Sequence, residues 1–336
     1  MKEKVLVTGG AGFIGSHVAK SLIENGYDVV ILDDLSGGFE ENLPNEAIFV
    51  NGSINDTDLI NNLFEKNKFS YVFHLAAYAA EGLSHFIKKF NYENNLMGSI
   101  NLINASANNN VKCFVFTSSI AVYGKNQVPM VEDLVPQPED PYGIAKYAVE
   151  LDLKEALEIF GLNYVIFRPH NVYGEMQNIN DPYRNVIGIF MKQILQSKPL
   201  TVFGDGKQMR AFSYIDDVAP IIAKCINRPE TWNQIYNIGA DKPYTIIELI
   251  ENVKKVMNKE SLEIKYEQER NEVKIAYSNH DKVKKYFSDL IKNIPLEEGL
   301  QRMSKWVDNT QIKDGQKFNN IEVNRNMPPS WKQIIN

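Results

Sequence analysis

The chain predicts an α/β fold in which a doubly wound parallel sheet is followed by a smaller C-terminal α/β lobe. Three observations carry this reading. Short apolar runs alternate with longer amphipathic stretches through the first half, the pattern of strands joined by helical crossovers. Glycines crowd the point where the first strand gives way to the first helix. After Tyr173 and Gly174 the texture turns polar and then mixed. A chain of 336 residues has room for about two domains, at roughly 150 residues each.

Apolar runs at 5–7, 29–32, 47–50, 71–75, 113–116 and 164–167 read as buried strands. Helical periodicity fills 14–25, 58–66, 86–110 and 142–160, with Gly26 and Gly161 where a helix C-cap is expected. The second half opens with a loop over 176–184 and a helix over 185–197, which stops before Pro199. A short strand near 212–215 follows. Thr245 is set to cap a helix running through Met257, with Glu248 three residues on. The expected division is a first domain over 1–174, to which part of 210–240 returns, and a second lobe over 175–209 and 241–320. A C-terminal tail over 321–336 follows, and the polar stretch from Asp308 to Asn336 is assigned no chemistry.

Composition narrows the function classes. Hydrophobic residues make up 44% of the chain, enough to exclude wholesale disorder. No run of about 20 apolar residues offers a membrane span, and the N-terminus turns into glycines before a signal-peptide core can form. Lys and Arg number 36 against 42 Asp and Glu, a net charge of −6 with no basic stripe for nucleic acid. Cys113 and Cys225 read as small buried hydrophobes in a reducing compartment. The five histidines show no metal-ligand spacing. A cytoplasmic enzyme is the expectation.

Thr8-Gly9-Gly10-Ala11-Gly12-Phe13-Ile14-Gly15 has the glycines of a dinucleotide turn. Gly9 permits the tight turn, Gly12 lets a pyrophosphate approach the backbone, and Gly15 lets the helix pack on the strand. Phe13 and Ile14 open the helix whose free N–H groups would meet the phosphates. Asp33 closes the second strand, 18 residues past Gly15, as a ribose-binding carboxylate should. Asp33 and Asp34 would repel a 2′-phosphate and no arginine follows closely, so NAD is favoured over NADP. Ser53 and Ile54, just past the third strand, are expected against the adenine.

Tyr142 and Lys146 stand four apart at the start of a predicted helix and project onto one face. A free phenol has a pKa near 10 and is a poor base at neutral pH. A lysine one turn away, together with the positive nicotinamide ring, would stabilise the phenolate for proton transfer. Ser119 lies at the carboxyl end of the fifth strand, where α/β ligands bind, and can share a sugar proton with Tyr142.

Several further segments complete a recognisable set: His74-Leu75-Ala76-Ala77, Asn95-Leu96-Met97-Gly98-Ser99, and Arg168-Pro169-His170-Asn171-Val172-Tyr173-Gly174. Gly204-Asp205-Gly206-Lys207-Gln208-Met209-Arg210, Ile215-Asp216-Asp217-Val218 and Arg270-Asn271-Glu272-Val273 follow. With them the chain, from residue 4 to about 285, resembles the extended short-chain dehydrogenase/reductases of the NAD-dependent nucleotide-sugar epimerase/dehydratase family. The resemblance implies a Rossmann-type NAD domain and a substrate-binding lobe for a nucleotide-diphosphate sugar. Tyr142 resembles the family's acid/base, Lys146 its nicotinamide-ribose ligand and Ser119 its substrate hydroxyl ligand. Leu75, Ala76, Ala77 and Asn95 would line the cofactor, while Asn171, Arg210 and Arg270 would hold the diphosphate. The family also pairs two such helices, here 86–110 and the one opened by Tyr142, into a homodimer's four-helix bundle.

The residues after Ser119 discriminate among reactions. The family's dehydratases carry an Asp-Glu pair there, its 3,5-epimerases a cysteine, and its decarboxylases a Thr with an acid nearby. Ile120 and Ala121 can do no acid/base work, so the pattern looks most like the UDP-hexose 4-epimerases, such as UDP-glucose 4-epimerase. A C4 dehydrogenase, decarboxylase or dehydratase on the same scaffold, and a non-catalytic NAD-binding regulator, stay open as alternatives. Some positions depart from the commoner epimerase pattern: Ser53 replaces an aspartate, Glu81 an apolar residue, Ala211 an aspartate, and His170 an aromatic. They leave the sugar and the base open.

Overall fold

The computed structural model describes residues 2–269, 273–310, 320–328 and 331. Fourteen strands are described: β1 (Lys4–Thr8), β2 (Asp28–Asp33), β3 (Ile48–Asn51), β4 (Tyr71–His74), β5 (Cys113–Thr117), β6 (Tyr164–Pro169), β7 (Val172–Tyr173), β8 (Leu200–Phe203), β9 (Met209–Ala211), β10 (Ser213–Tyr214), β11 (Gln234–Ile238), β12 (Pro243–Thr245), β13 (Ile264–Glu267) and β14 (Ile275–Ala276). Seven of them form a parallel sheet in the order β11-β6-β5-β4-β1-β2-β3. The order reverses between β1 and β4, and in such sheets the crevice beyond that reversal is where ligands bind.

The strands alternate between two cores with a period of two. Val5 and Val7 of β1 join one apolar cluster, and Leu6 between them joins the other. The first core is completed by α1 (Phe13–Glu24), through Val18, Ala19 and Leu22. The second is completed by α2 (Thr57–Asn67), through Ile60, Leu63 and Phe64. Both sheet faces are therefore covered, which is why these strands read as continuous apolar runs.

The segment expected as one helix over 86–110 is more articulated. A short α3 (Glu81–Ser84) precedes it, α4 (Lys88–Tyr92) begins it, a π-helical turn spans Glu93–Met97, and α5 (Gly98–Asn108) completes it. A π turn inserts one residue into the helical ladder and is frequent at functional sites. Here it turns Asn95 inward. Helix α6 (Pro141–Phe160) starts one residue before Tyr142, with Asp140 as N-cap accepting from the Gly143 N–H at 2.9 Å. Gly161 closes it at φ 71°.

Helix α7 (Val186–Leu195) is shorter at both ends than the periodicity suggests. The strand expected at 212–215 is the two-residue β10, paired in parallel with β7. Helix α8 (Ala219–Lys224) buries Ile221 and Ile222 in the same core as α1. The expected cap of α9 (Ile246–Val256) is present as a full capping box between Thr245 and Glu248. Strand β9 sits between β12 and β14 in a small three-stranded sheet, and β8 pairs with β13. Cys113 and Cys225 are both free and buried. Among the described residues, no helix is long and apolar enough to cross a membrane.

Candidate active site

The carboxyl ends of the parallel strands open on a cavity of about 1920 Å³. That is about twice the upper size of an ordinary small-molecule site, and it suits two extended ligands end to end. Gly9, Gly12, Phe13, Ile14, Gly15, Asp33, Asp34, Ile54, Leu75, Ala76 and Ala77 line one part of it. Ser119, Tyr142, Lys146, Asn171 and Arg210 line the remainder.

The glycine turn is built by exclusion. Gly9 holds φ 74°, and a Cβ there would lie 2.6 Å from the Ala76 nitrogen. A Cβ on Gly15 would stand 2.0 Å from the Gly9 carbonyl oxygen, so no side chain fits between the turn and α1. Gly12 is different: a Cβ there meets only the Gly9 oxygen, at 3.1 Å, and would otherwise enter the cavity. Asp33 ties the turn to β2, its carboxylate accepting from the Ala11 N–H at 3.0 Å and the Leu35 N–H at 2.8 Å. Burial pushes this carboxyl above its usual range.

Two expected cofactor contacts are differently employed. The Ser53 hydroxyl accepts from the Asn55 N–H at 3.2 Å in its own turn, while neighbouring Ile54 is buried and lines the cavity. Asn95 lies beneath the wall. Its oxygen accepts from the Tyr78 N–H at 2.8 Å and its amide donates to the Tyr78 carbonyl at 3.1 Å, so it shapes the loop after β4.

Tyr142 is buried and faces the cavity with Ser119. Burial pushes the phenol well above its ordinary value, and the nearby Ser119 hydroxyl acts in the opposite direction. The Ser119 oxygen also caps the short turn Ile120–Tyr123 by accepting from the Ala121 N–H at 3.1 Å. Lys146 Nζ donates to the Thr117 carbonyl at 2.8 Å, 4.6 Å from the Phe116 ring centroid and 5.9 Å from that of Tyr142. Burial pulls this ammonium down to about 7, while Glu150 one turn on holds it up. Glu150 is itself engaged, accepting from the Ser118 hydroxyl at 2.5 Å and from Arg168 Nε at 2.9 Å. Thr117 Oγ1, on the same wall as Lys146, is buried without a hydrogen-bond partner.

Asn171 occupies φ 38°, a strained position for a residue with a side chain. Its amide donates to the Ala211 carbonyl at 3.0 Å, and His170 Nδ1 donates to the same oxygen at 3.0 Å. His170 Nε2 lies 3.0 Å from His280 Nε2, and His280 Nδ1 donates to Asp241 at 2.7 Å. This buried network behind Asn171 has no local sequence signal, because its members lie up to 110 positions apart. The Arg210 guanidinium donates to the carbonyls of Met209, Val273 and Lys274. Arg270 lies outside the described residues.

The tail expected to carry no chemistry in fact lines the cavity: Arg325, Met327 and Trp331 face it together with Glu81, Tyr183 and Arg184.

The chain is similar to known proteins in sequence and in fold. The family described as "NAD dependent epimerase/dehydratase family" matches residues 5–239. A putative UDP-glucose 4-epimerase of Methanocaldococcus jannaschii is 37% identical over 309 residues, 91% of this chain and 98% of that protein. The structure of a UDP-glucose 4-epimerase with UDP-glucose, from Thermotoga maritima, superposes with a TM-score of 0.85 at 35% identity, covering 91% of this chain and 99% of that one. A UDP-N-acetylglucosamine 4-epimerase from Methanobrevibacter ruminantium, in complex with UDP-N-acetylmuramic acid, gives 0.85 at 35% identity, with 92% and 99% covered.

Proposed function

The chain belongs to the NAD-dependent epimerase/dehydratase family, and from that premise we propose that it inverts C4 of a UDP-hexose through a transient 4-keto sugar. The observation that carries this reading is that Ser119, just past β5, and the buried Tyr142 line the same cavity close enough for the Ser119 hydroxyl to act on the phenol, with Ile120 and Ala121 following. Tyrosine and serine serve proton transfer at one hydroxyl. Neither neighbour can add acid or base chemistry at C5 or C6.

The residues present fit NAD. A cradle that a Cβ on Gly12 would invade, the buried Asp33 carboxylate and the unpartnered Thr117 hydroxyl all await a polar ligand of that shape. We assign the pyrophosphate to Gly9, Gly12, Phe13, Ile14 and Gly15, and the adenosine to Asp33, Asp34 and Ile54. The nicotinamide end falls to Leu75, Ala76, Ala77, Tyr142 and Lys146. NAD supplies a reversible hydride acceptor at the sugar carbon.

Ser119 orients the C4 hydroxyl and Tyr142 takes its proton, then returns it after the sugar has turned over. The burial that raises the Tyr142 phenol also excludes water from the keto sugar. Lys146, held by the Thr117 carbonyl beneath the phenol, brings a compact cation to the nicotinamide ribose. Asn171 and Arg210, with Arg270, hold the diphosphate while the sugar rotates, and the guanidinium fork suits that dianion.

Turnover of UDP-glucose or UDP-N-acetylglucosamine in heavy water, read by NMR, tests the reading. A C4 epimer without carbon-bound deuterium is expected. Deuterium at C3 or C5 would overturn it in favour of a reaction with an additional acid or base. Glu81, whose charge acts on Tyr142, is the observation favouring that second reading.

Two copies would pair through α5 and α6. Ile144 and Leu151 of α6 and Met97 of the π turn are exposed at 42%, 47% and 50%, an apolar face that supports a homodimer. The two buried thiols and the lack of a basic stripe support a cytoplasmic setting without a nucleic-acid partner.

A further inference from the structure

The tail is fastened to the sugar end of the cavity at two points. Glu322 accepts from the backbone N–H groups of Lys89 at 2.7 Å and Phe90 at 2.9 Å, in the first turn of α4, where a carboxylate meets free donors and the positive end of the helix. The Glu322 and Val323 N–H groups donate to the Phe86 carbonyl at 2.9 and 3.2 Å. Farther on, Met327 and Trp331 are 4% and 3% exposed, in a satellite core with Ala80, Leu83 and Ile87. The Trp331 ring meets Tyr183 edge-on at 5.3 Å and Phe86 at 6.0 Å. A Cβ on Gly82 would come within 3.2 Å of it.

What this core supports is α3, four residues that could not hold a helix alone. Gly82 of α3 lies under Trp331, and Ser84 of α3 accepts from the Tyr142 N–H at 3.3 Å. Glu81, the first residue of α3, lies close enough for its charge to act on the Tyr142 phenol. On the other side of Trp331, Tyr183 adjoins Arg184, which is held by Asp181 at 2.7 Å and stacks on Tyr78 at 4.9 Å. Arg184 also acts on Tyr142. The tail thus sits behind two of the charged groups that border the acid/base, Glu81 and Arg184, while Asp140 belongs to the cap of α6.

We propose that the C-terminal tail is the specificity-determining wall of the sugar subsite. Trp331 and Met327, fastened by Glu322, are positioning residues: they set α3 and the Tyr183–Arg184 corner against the sugar, and so decide which ring substituents fit beside Tyr142. The inference rests on the nucleotide-sugar reading above. It has a mechanical corollary, since a keto sugar that must turn over without leaving needs walls that stay in place while the diphosphate anchors it.

The test uses the full chain with Trp331→Ala, Trp331→Phe and Glu322→Gln. Affinities for UDP, UDP-glucose and UDP-N-acetylglucosamine are measured by calorimetry, together with kcat, KM, thermal stability and keto sugar released into solution. Trp331→Ala is expected to leave the UDP affinity unchanged and to shift the preference between the two sugars by about tenfold, the scale of an apolar pocket contact. It should also raise KM and release keto sugar. Trp331→Phe should recover most of the preference, and Glu322→Gln should act in the same direction as Trp331→Ala, more weakly. A sugar preference within twofold of the parent, or an equal loss of UDP affinity, would overturn the inference. If the parent binds UDP-sugars without epimerising them, the reaction assigned above fails while the binding preference still tests the wall.

Discussion

The two ends of the cavity are built in opposite ways. The NAD end is assembled from short contiguous segments at the tips of neighbouring strands: the glycine turn after β1, Asp33 at the end of β2, and Leu75 to Ala77 after β4. The sugar end draws on α3, on the loop leading to α7, and on the tail near residue 331. The first is held by backbone geometry that tolerates almost no side chain; the second by side chains that reach one another across the fold. A family can therefore keep one end constant and vary the other, because a wall made of side chains changes without disturbing the sheet.

That contrast is broken most severely at Gly15. In Gly15→Val the new side chain meets the Gly9 carbonyl, and overpacking of this kind costs about 1–3 kcal/mol or more. NAD affinity should fall by roughly a hundredfold, read by fluorescence titration, with a lowered melting temperature. An unchanged affinity would mean the turn is not the cradle.

Tyr142→Phe separates chemistry from binding. Turnover should drop by about 10²- to 10⁴-fold, the usual range for a lost general acid/base. NAD affinity and melting temperature should stay at parental values, because the ring and its packing remain. Full activity in this variant would remove Tyr142 from the mechanism.

Trp331→Ala is the corresponding probe of the far end, with its roughly tenfold change of sugar preference and unchanged UDP affinity. A fall in NAD affinity instead would show that the two ends are not separable.

The smallest expected effect is electrostatic. Burial drives the His170 ring from 6.5 down to about 3, with His280 adding to the shift. Below 6.5 the unfolded chain takes up this proton and the folded chain does not. The stability tied to the neutral ring is therefore complete above pH 6.5 and is lost as pH falls toward 3. Melting temperatures between pH 7.5 and pH 4.5 should fall more steeply in the parent than in His170→Asn. Parallel slopes would show that His170 is protonated in the folded protein.

Much of the NAD end is legible in the sequence, and the reasons differ by residue. Gly9, Gly12, Gly15 and Asp33 are readable because local backbone geometry dictates them. Tyr142 and Lys146 are readable because one helical turn puts them on one face. Asn95 was expected against the cofactor, but its side chain is spent on the Tyr78 backbone, a pairing set by the π turn. Lys146 was expected beside the phenol, and its ammonium lies 5.9 Å from the Tyr142 ring centroid, but the Thr117 carbonyl that holds it carries no local signal, since the two are 29 positions apart. The tail gave no periodic signal at all, since Trp331 finds its ring partners Phe86 and Tyr183 far earlier in the chain.

By itself, then, the amino-acid order determined the parallel sheet, the glycine turn, the NAD preference expected from Asp33 and Asp34, and the Tyr142–Lys146 pair. Each rests on interactions between residues close in the chain or on a repeating apolar pattern. Only the tertiary structure decided what stands around Tyr142 at the end of the cavity proposed for the sugar. Packing brings α3, Arg184 and Trp331 together through long-range burial, and burial carries no periodicity for a sequence to record.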